Sequence, residues 1–280
     1  MSSISVIIPA YNRRHTLPRA LASVMNQKRA PDEILVIDDG STDGTTDFLR
    51  SDFPSVRCLT QENKGPSAAR NTAIQAATGE WLAFLDSDDE WTRDKLMVQE
   101  DFFKAHPHFL IAQTDEIWIR NGKRVNPMNK HKKYGGWIFD KCLPLCVVSP
   151  SAVMIHRSLF DEAGLFDESY PACEDYELWL RIAARREVGL IEKKCTVKYG
   201  GHADQRSHEF PAMDRFRIRA LAKILESGRL DEGQTMSALA MLEEKTRIFL
   251  AGAQKRGNQS ELEESRAQLE RIKGKVQARA

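Results

Sequence analysis

The residues best suited to chemistry in this 280-residue chain are carboxylates, and they recur at one kind of place: directly after a short apolar run. Trp81-Leu82-Ala83-Phe84-Leu85 leads into Asp86-Ser87-Asp88-Asp89, and Ile34-Leu35-Val36-Ile37 leads into Asp38-Asp39-Gly40-Ser41. Ser5-Val6-Ile7-Ile8 leads into Pro9-Ala10-Tyr11-Asn12. Two carboxylates two residues apart at a strand end can reach one small region, and Mg²⁺ or Mn²⁺ takes a few such oxygens together with phosphate oxygens. Like charges gathered on one rim repel unless a cation or a hydrogen-bond donor compensates them. An aspartate at a strand end also serves as a turn former or helix cap. It is the repetition on several strands that favours a ligand site.

Those apolar runs alternate with helical patterns over Leu17 to Met25, Thr45 onward, Gly65 to Ala77 and Lys95 to Ala105. Such alternation predicts an α/β fold, a mostly parallel, Rossmann-like sheet flanked by helices. The carboxyl ends of parallel strands share one edge, where ligands bind, so Asn12, Asp38, Asp39, Asp86, Asp88 and Asp89 are expected to converge there. Further on, Ile117 to Arg120 and Lys123 to Val125 flank Asn121-Gly122, a hairpin signature. Asn126 to Gly136 is basic, lacks periodicity and is expected to be a mobile loop. Strands are expected at Ala152 to Ile155 and Thr196 to Tyr199, with a helix from Glu174 to Ala184. On that helix Asp175, Leu178, Trp179 and Ile182 share a face, while Glu177 and Arg181 are placed to pair and Glu174 is expected to face solvent. Asp175 therefore heads an apolar stripe, as a helix cap or as a general base.

Several classes are disfavoured. The chain carries 41 basic and 40 acidic residues, a net charge of +1 that gives no nucleic-acid footprint. Neither a G-x-G-x-x-G helix opening nor a P-loop is present. The five cysteines lack a paired metal spacing, which points to a reduced, cytoplasmic setting. The first residues lack a basic region, so no signal peptide is expected. From about residue 211 the pattern is helical only, with 14 basic and 10 acidic residues, punctuated by Gly228, Gly233 and Gly257. Two units are therefore expected, residues 1–210 and a helical extension, 211–280. Leu262, Leu269, Ile272 and Val276 form a narrow apolar stripe. The tail's positive surplus is compatible with an anionic membrane face, but helices packed on the first unit are the preferred reading, with Arg215, Arg217 and Arg219 as a solvated face.

Taken together, Val6 to Asn12, Val36 to Asp43, Gly65-Pro66-Ser67-Ala68-Ala69-Arg70-Asn71, Asp86 to Asp89 and Glu174 to Trp179 resemble the family 2 glycosyltransferases, inverting enzymes with the GT-A fold. The resemblance covers roughly Ile4 to Ser207. It implies a nucleotide-sugar donor, with Pro9 and Tyr11 beside the base, Asp39 accepting a hydrogen bond from a uracil-like edge and Asp86 near the ribose. It implies a divalent cation, manganese or magnesium, on Asp88, with His202 completing its shell from a late loop in which Gln205, Arg206 or Ser207 touches phosphate. Arg70 is implied near the nucleotide; its alternative is a core ion pair with Asp38 or Asp39. Asp175 is implied as the base acting on a glycan or lipid-linked acceptor, at the inner membrane face if the acceptor is lipid-linked. A nucleotidyltransferase of related fold, or a non-catalytic sugar-binding module, are the alternatives. Specificity is expected near Asn126 to Gly136, Trp137 and Trp179.

Overall fold

The structure, a computed structural model, describes residues 3–201, 209–210, 212–255 and 259–278. At its centre is a nine-stranded sheet in the order β3-β2-β1-β4-β8-β6-β9-β5, with β7 paired to β6. The parallel part comprises β1 (Ile4–Ala10), β2 (Glu33–Asp38), β3 (Arg57–Thr60) and β4 (Trp81–Phe84). The short β5 (Glu90–Trp91) lies at the far edge. Successive side chains point to opposite faces of a strand, and here both faces are apolar. Ile7, Leu35, Ile37, Leu82 and Phe84 enter one core, while Val6, Ile8, Val36, Ala83 and Leu85 enter the other. Burial on both sides is why these strands read as uninterrupted apolar runs.

Helices α1 (Leu17–Met25) and α4 (Lys95–Ala105) cover the second face through Leu17, Leu21, Val24, Leu96 and Phe103. Between them in sequence come α2 (Thr45–Asp52) and α3 (Pro66–Ala76), whose Ala69, Ala73 and Ile74 pack on the first face. The remaining half of the sheet is mixed. Strand β6 (Ile111–Arg120) forms a hairpin with β7 (Lys123–Val125), and Asn121 and Gly122 both take positive φ, 49° and 73°. These are the angles a two-residue turn of this kind requires. Short α5 (Phe139–Cys142) precedes β8 (Val153–His156), which runs antiparallel to both β4 and β6. After α6 (Ser158–Ala163) and α7 (Glu174–Ala183) comes β9 (Gly189–Gly200), parallel to β6.

At 12 residues, β9 is three times the length of the strand expected at Thr196 to Tyr199. Within its first half Glu192-Lys193-Lys194 are charged and exposed, so the sequence shows no alternation there. The segment after β7 is also more ordered than expected. A 3₁₀ turn at Asn129–His131 leads to Lys133, which is buried against Glu116 at 3.1 Å, and Gly136 bridges to Val188.

The C-terminal segment comprises α8 (Asp214–Glu226), α9 (Glu232–Lys255) and α10 (Gln259–Gln277). Phe216, Ile218, Leu221, Leu225, Leu242 and Ile272 join the same apolar cluster as Leu178, Trp179 and Ile182 of α7. The arginines of α8 divide. Arg215 and Arg219 are exposed, but Arg217 is half-buried and bonds Asp214 at 2.8 Å. No described helix is long and apolar enough to cross a membrane.

Candidate active site

Because β1, β2 and β4 are parallel, their carboxyl ends deliver Tyr11, Asp39 and Asp86 to one edge. A cavity of about 560 Å³ opens there, lined by Pro9, Tyr11, Asp39, Arg70, Asp86 and Asp88 and by Glu174 and Asp175 from the start of α7. Of the acids and amide expected on this rim, Asp39, Asp86 and Asp88 line it; Asn12, Asp38 and Asp89 do not. Their side chains are already engaged. Asp38 accepts the Ser41 N–H at 2.9 Å and the Thr46 hydroxyl, shaping the turn after β2. Asn12 accepts the Thr42 N–H at 2.8 Å, tying the β1 and β2 loops together. Asp89 accepts the Ser151 hydroxyl at 2.6 Å and the Tyr199 N–H at 3.2 Å.

Asp39 is buried, and its Oδ1 accepts the Gln61 amide and the Lys64 N–H while its Oδ2 accepts the Gly65 N–H at 2.8 Å. A carboxylate has about four acceptor positions, so Oδ2 retains capacity toward a ligand. Next to it Gly40 has φ +78°, and a Cβ there would sit 2.9 Å from the Asn63 nitrogen. Only glycine allows this turn to close so tightly on the loop before α3. Tyr11 stands at the cavity mouth with 46% of its surface exposed, free to cover a planar group.

Arg70 departs from its expected partners. Rather than pairing with Asp38 or Asp39, it bonds Asp86 and Glu174, both at 2.8 Å. Glu174 is therefore not solvent-facing: it is buried, because α7 starts against the cavity wall instead of at the surface. One guanidinium thus joins the end of β4 to the start of α7. Burial pushes the Asp86 carboxyl up, but Arg70 and Lys198 outweigh it and hold Asp86 below its ordinary range. For Glu174, burial prevails over Arg70, the charge of Asp175 adds to it, and the carboxyl is raised.

Asp175 is the second helical residue of α7, not its cap; Cys173 takes that position with φ 63°. A left-handed residue without the freedom of glycine costs about 1–2 kcal/mol, and here it turns the chain so that Glu174 and Asp175 meet the cavity. Oδ1 of Asp175 accepts the Tyr176 N–H at 2.7 Å, and the Cys146 thiol donates to Oδ2 at 3.3 Å. Burial first, then Asp175, keeps that thiol protonated. Trp179, expected near the substrate, lies in the core at 2% exposure, whereas Trp137 is 65% exposed in a separate depression.

Lys198 was not legible as a site residue. It projects from β9 into the cavity and donates to Ser149 Oγ at 2.9 Å. Although burial disfavours its charge, Asp89, Glu116, Asp86 and Asp88 more than offset this and keep the ammonium protonated. Nothing in the spacing of a lysine within a lysine-rich strand marks it. As for a metal, no three His, Cys, Asp or Glu side chains gather into a cage among the described residues. Asp86 is bonded to Arg70 and Asp89 to Ser151, and Asp88 lines the cavity beside them. One carboxylate completed by phosphate oxygens and water is a usual Mg²⁺ arrangement, so the donor set fits a cation that arrives with a diphosphate. His202, Gln205, Arg206 and Ser207 lie outside the described residues.

The family model described as glycosyl transferase family 2 matches residues 5–164, more than half the chain. The chain belongs to this family. Among relatives, the family 2 chain is 34% identical over 190 residues to the E. coli UDP-Glc:alpha-D-GlcNAc-diphosphoundecaprenol beta-1,3-glucosyltransferase WfgD, covering 67% of this chain and 72% of that one. It is 36% identical over 199 residues to an uncharacterized glycosyltransferase of Rickettsia felis, covering 70% of this chain but 32% of that one. The chain thus spans about a third of the length of the rickettsial relatives it matches. In fold it is similar to S. aureus TarS 1-349, crystallised in complex with UDP-GlcNAc, with a TM-score of 0.69, 21% identity, and coverage of 87% of this chain and 71% of that one. The mixed α/β architecture is accordingly the expected GT-A fold.

Proposed function

We propose that this chain is an inverting glycosyltransferase that moves a sugar from a uridine diphosphate donor to a hydroxyl of a lipid-linked or polysaccharide acceptor. The observation that carries the reading is that Asp39 and Tyr11, suited to a nucleotide, and the Asp175 carboxylate line the same cavity. That WfgD is named for a UDP-glucose donor and a diphosphoundecaprenol acceptor, and that TarS was crystallised with UDP-GlcNAc, supports these substrate classes. Residues 1–210 form the catalytic unit in this reading and 211–280 its helical extension, acting in the cytoplasm.

In the reaction, Asp175 takes the proton of the acceptor hydroxyl as that oxygen attacks the anomeric carbon. The bond from that carbon to the diphosphate oxygen breaks on the opposite face, and its electron pair leaves with the nucleoside diphosphate. Asp39 accepts from the base edge, and Arg70 fixes Asp86 at the ribose. The Lys198 ammonium faces the charge that grows on the diphosphate, where a preorganised cation stabilises a transition state most. A Mg²⁺ or Mn²⁺ held by Asp88, with His202 as a further ligand, supplies Lewis-acid neutralisation of that diphosphate when bound.

The test is incubation with a panel of UDP-sugars, manganese or magnesium, and lipid-linked or oligosaccharide acceptors. Release of UDP with a glycosylated product is expected, and release of pyrophosphate would instead establish a nucleotidyltransferase. Asp175→Asn should lower turnover by about 10²–10⁴-fold while leaving UDP affinity intact. Normal turnover in that variant removes Asp175 from the chemistry.

A further inference from the structure

From Ile117 to Phe139 the chain has no acidic residue, yet it carries Arg120, Lys123, Arg124, Lys130, Lys132 and Lys133. Lys133 is consumed by Glu116. Arg120, Lys123, Arg124, Lys130 and Lys132 are all exposed, and none has a carboxylate within ion-pair distance among the described residues. Between them in sequence, just after β7, Pro127 and Met128 are exposed, Met128 at 60%. This basic surface beside exposed apolar residues differs from stretches of the chain where cations such as Arg57, Arg186, Arg271 and Lys273 are ion-paired.

The position of this surface is fixed by the sheet. Strand β6 is antiparallel to β8, which is antiparallel to β4, so β6 ends on the same edge as β4 and its Asp86. Strand β9 pairs alongside in parallel, with Trp118 opposite Lys198 and Arg120 opposite Gly200. The basic hairpin therefore rises from the residues adjoining a cavity-lining lysine. Glu116 stitches the two together, held by Lys133 at 3.1 Å and lying in the field of Lys198.

We propose that the β6–β7 hairpin and the following segment, through Arg120, Lys123, Arg124, Lys130 and Lys132 together with the exposed Met128, form a docking surface for an anionic lipid bilayer. The charge is complementary to acidic headgroups, and lysine and arginine clusters beside an apolar insertion are how peripheral proteins hold such surfaces. Docking by this edge sets the mouth of the cavity against the headgroups. The apolar stripe of the basic tail, by contrast, turns inward, with Ile272 fully buried.

The experiment is flotation of the full chain with phosphatidylcholine vesicles, with and without phosphatidylglycerol, in the absence of donor and acceptor. It therefore reads docking separately from sugar transfer. Recovery with phosphatidylglycerol vesicles only, declining as salt rises, is expected. Lys123→Glu/Arg124→Glu and Lys130→Glu/Lys132→Glu should each weaken partitioning by roughly 30-fold or more, given the attraction of each basic residue to an acidic surface. Lys28→Glu/Arg50→Glu, an equal charge change at exposed residues outside the hairpin and its following segment, should leave it near wild type. Failure of the wild type to float, or equal loss in all three variants, overturns the proposal. Hairpin-dependent binding to dextran sulfate but not to vesicles overturns it too, and assigns the surface to a soluble polyanion.

Discussion

Replacing Arg70 by methionine offers a direct test of how the two halves of the cavity are held together. The guanidinium is 5% exposed and makes charge-assisted bonds to Asp86 and Glu174, both at 2.8 Å. Removing one partner of a buried ion pair costs about 3–5 kcal/mol, because the survivor stays buried and uncompensated. Arg70→Met leaves two such survivors; Asp86 keeps the field of Lys198, whereas Glu174 loses the guanidinium that opposes its rise. The expected loss is about 3–5 kcal/mol near neutral pH, a large part of the roughly 5–15 kcal/mol that keeps a domain folded.

The pH dependence has a definite sign. A carboxyl whose native pKa lies above its unfolded value binds a proton more tightly when folded, so stability is full below the unfolded pKa and falls as pH rises through the native one. Glu174 is already raised in the wild type, and without Arg70 it must rise further. The deficit of Arg70→Met should therefore shrink on acidification toward pH ~5. Arg70→Met/Glu174→Gln should recover a substantial part of the loss at neutral pH. Urea unfolding of the three proteins at two pH values measures all of this. A deficit below about 1 kcal/mol, or strict additivity of the two substitutions, would refute the shared bridge.

Three further outcomes can be checked independently. Lys198→Met should weaken UDP binding by roughly 10–100-fold in calorimetry, the equivalent of one hydrogen bond to a charged group; unchanged affinity would place Lys198 outside the donor contacts. Lys95 is wholly buried beside the Trp91 ring, and burial brings its ammonium down to about 7. That native value lies below the unfolded one, so the penalty grows as pH falls from about 10 and is complete below about 7. Lys95→Met should accordingly raise the thermal midpoint, and more at pH ~6 than at pH ~9. Gly79→Ala should destabilise by about 1–3 kcal/mol in urea unfolding, because the added Cβ would lie 2.6 Å from the Ser5 backbone nitrogen.

The parallel half of the molecule was legible in the sequence because its strands are buried on both faces and its helices on one. Each then carries an unbroken or periodic apolar signal. The hairpin was legible too, since Asn121-Gly122 states its turn in two residues. What escaped notice depends on tertiary neighbours. Glu192-Lys193-Lys194 in the first half of β9 are charged and exposed, and pairing with β6 keeps them in a strand. Glu174 was placed in solvent by helix periodicity, but at the first turn of a helix that abuts a wall, the wall decides burial. Lys198 and Lys95 are lysines that only packing distinguishes from the surface ones around them. At the rim, spacing could not separate the acids facing the cavity, Asp39, Asp86 and Asp88, from those spent on loop hydrogen bonds, Asp38 and Asp89.

The shared apolar cluster of α7 with the three C-terminal helices bears on how such a chain can diverge. Phe216, Ile218 and Leu221 brace the helix that carries Asp175, and Met213, just before α8, reaches the cavity wall itself. Sequence drift in this rear support is felt at the reaction centre, so grafting the C-terminal helices from one relative onto another would misalign the carboxylate before it altered anything else. None of residues 117–125 enters that cluster among the described residues, so changes in the hairpin beyond β6 need not disturb the support behind Asp175. New acceptors are therefore more readily acquired at the front lip than by remodelling the buttress behind.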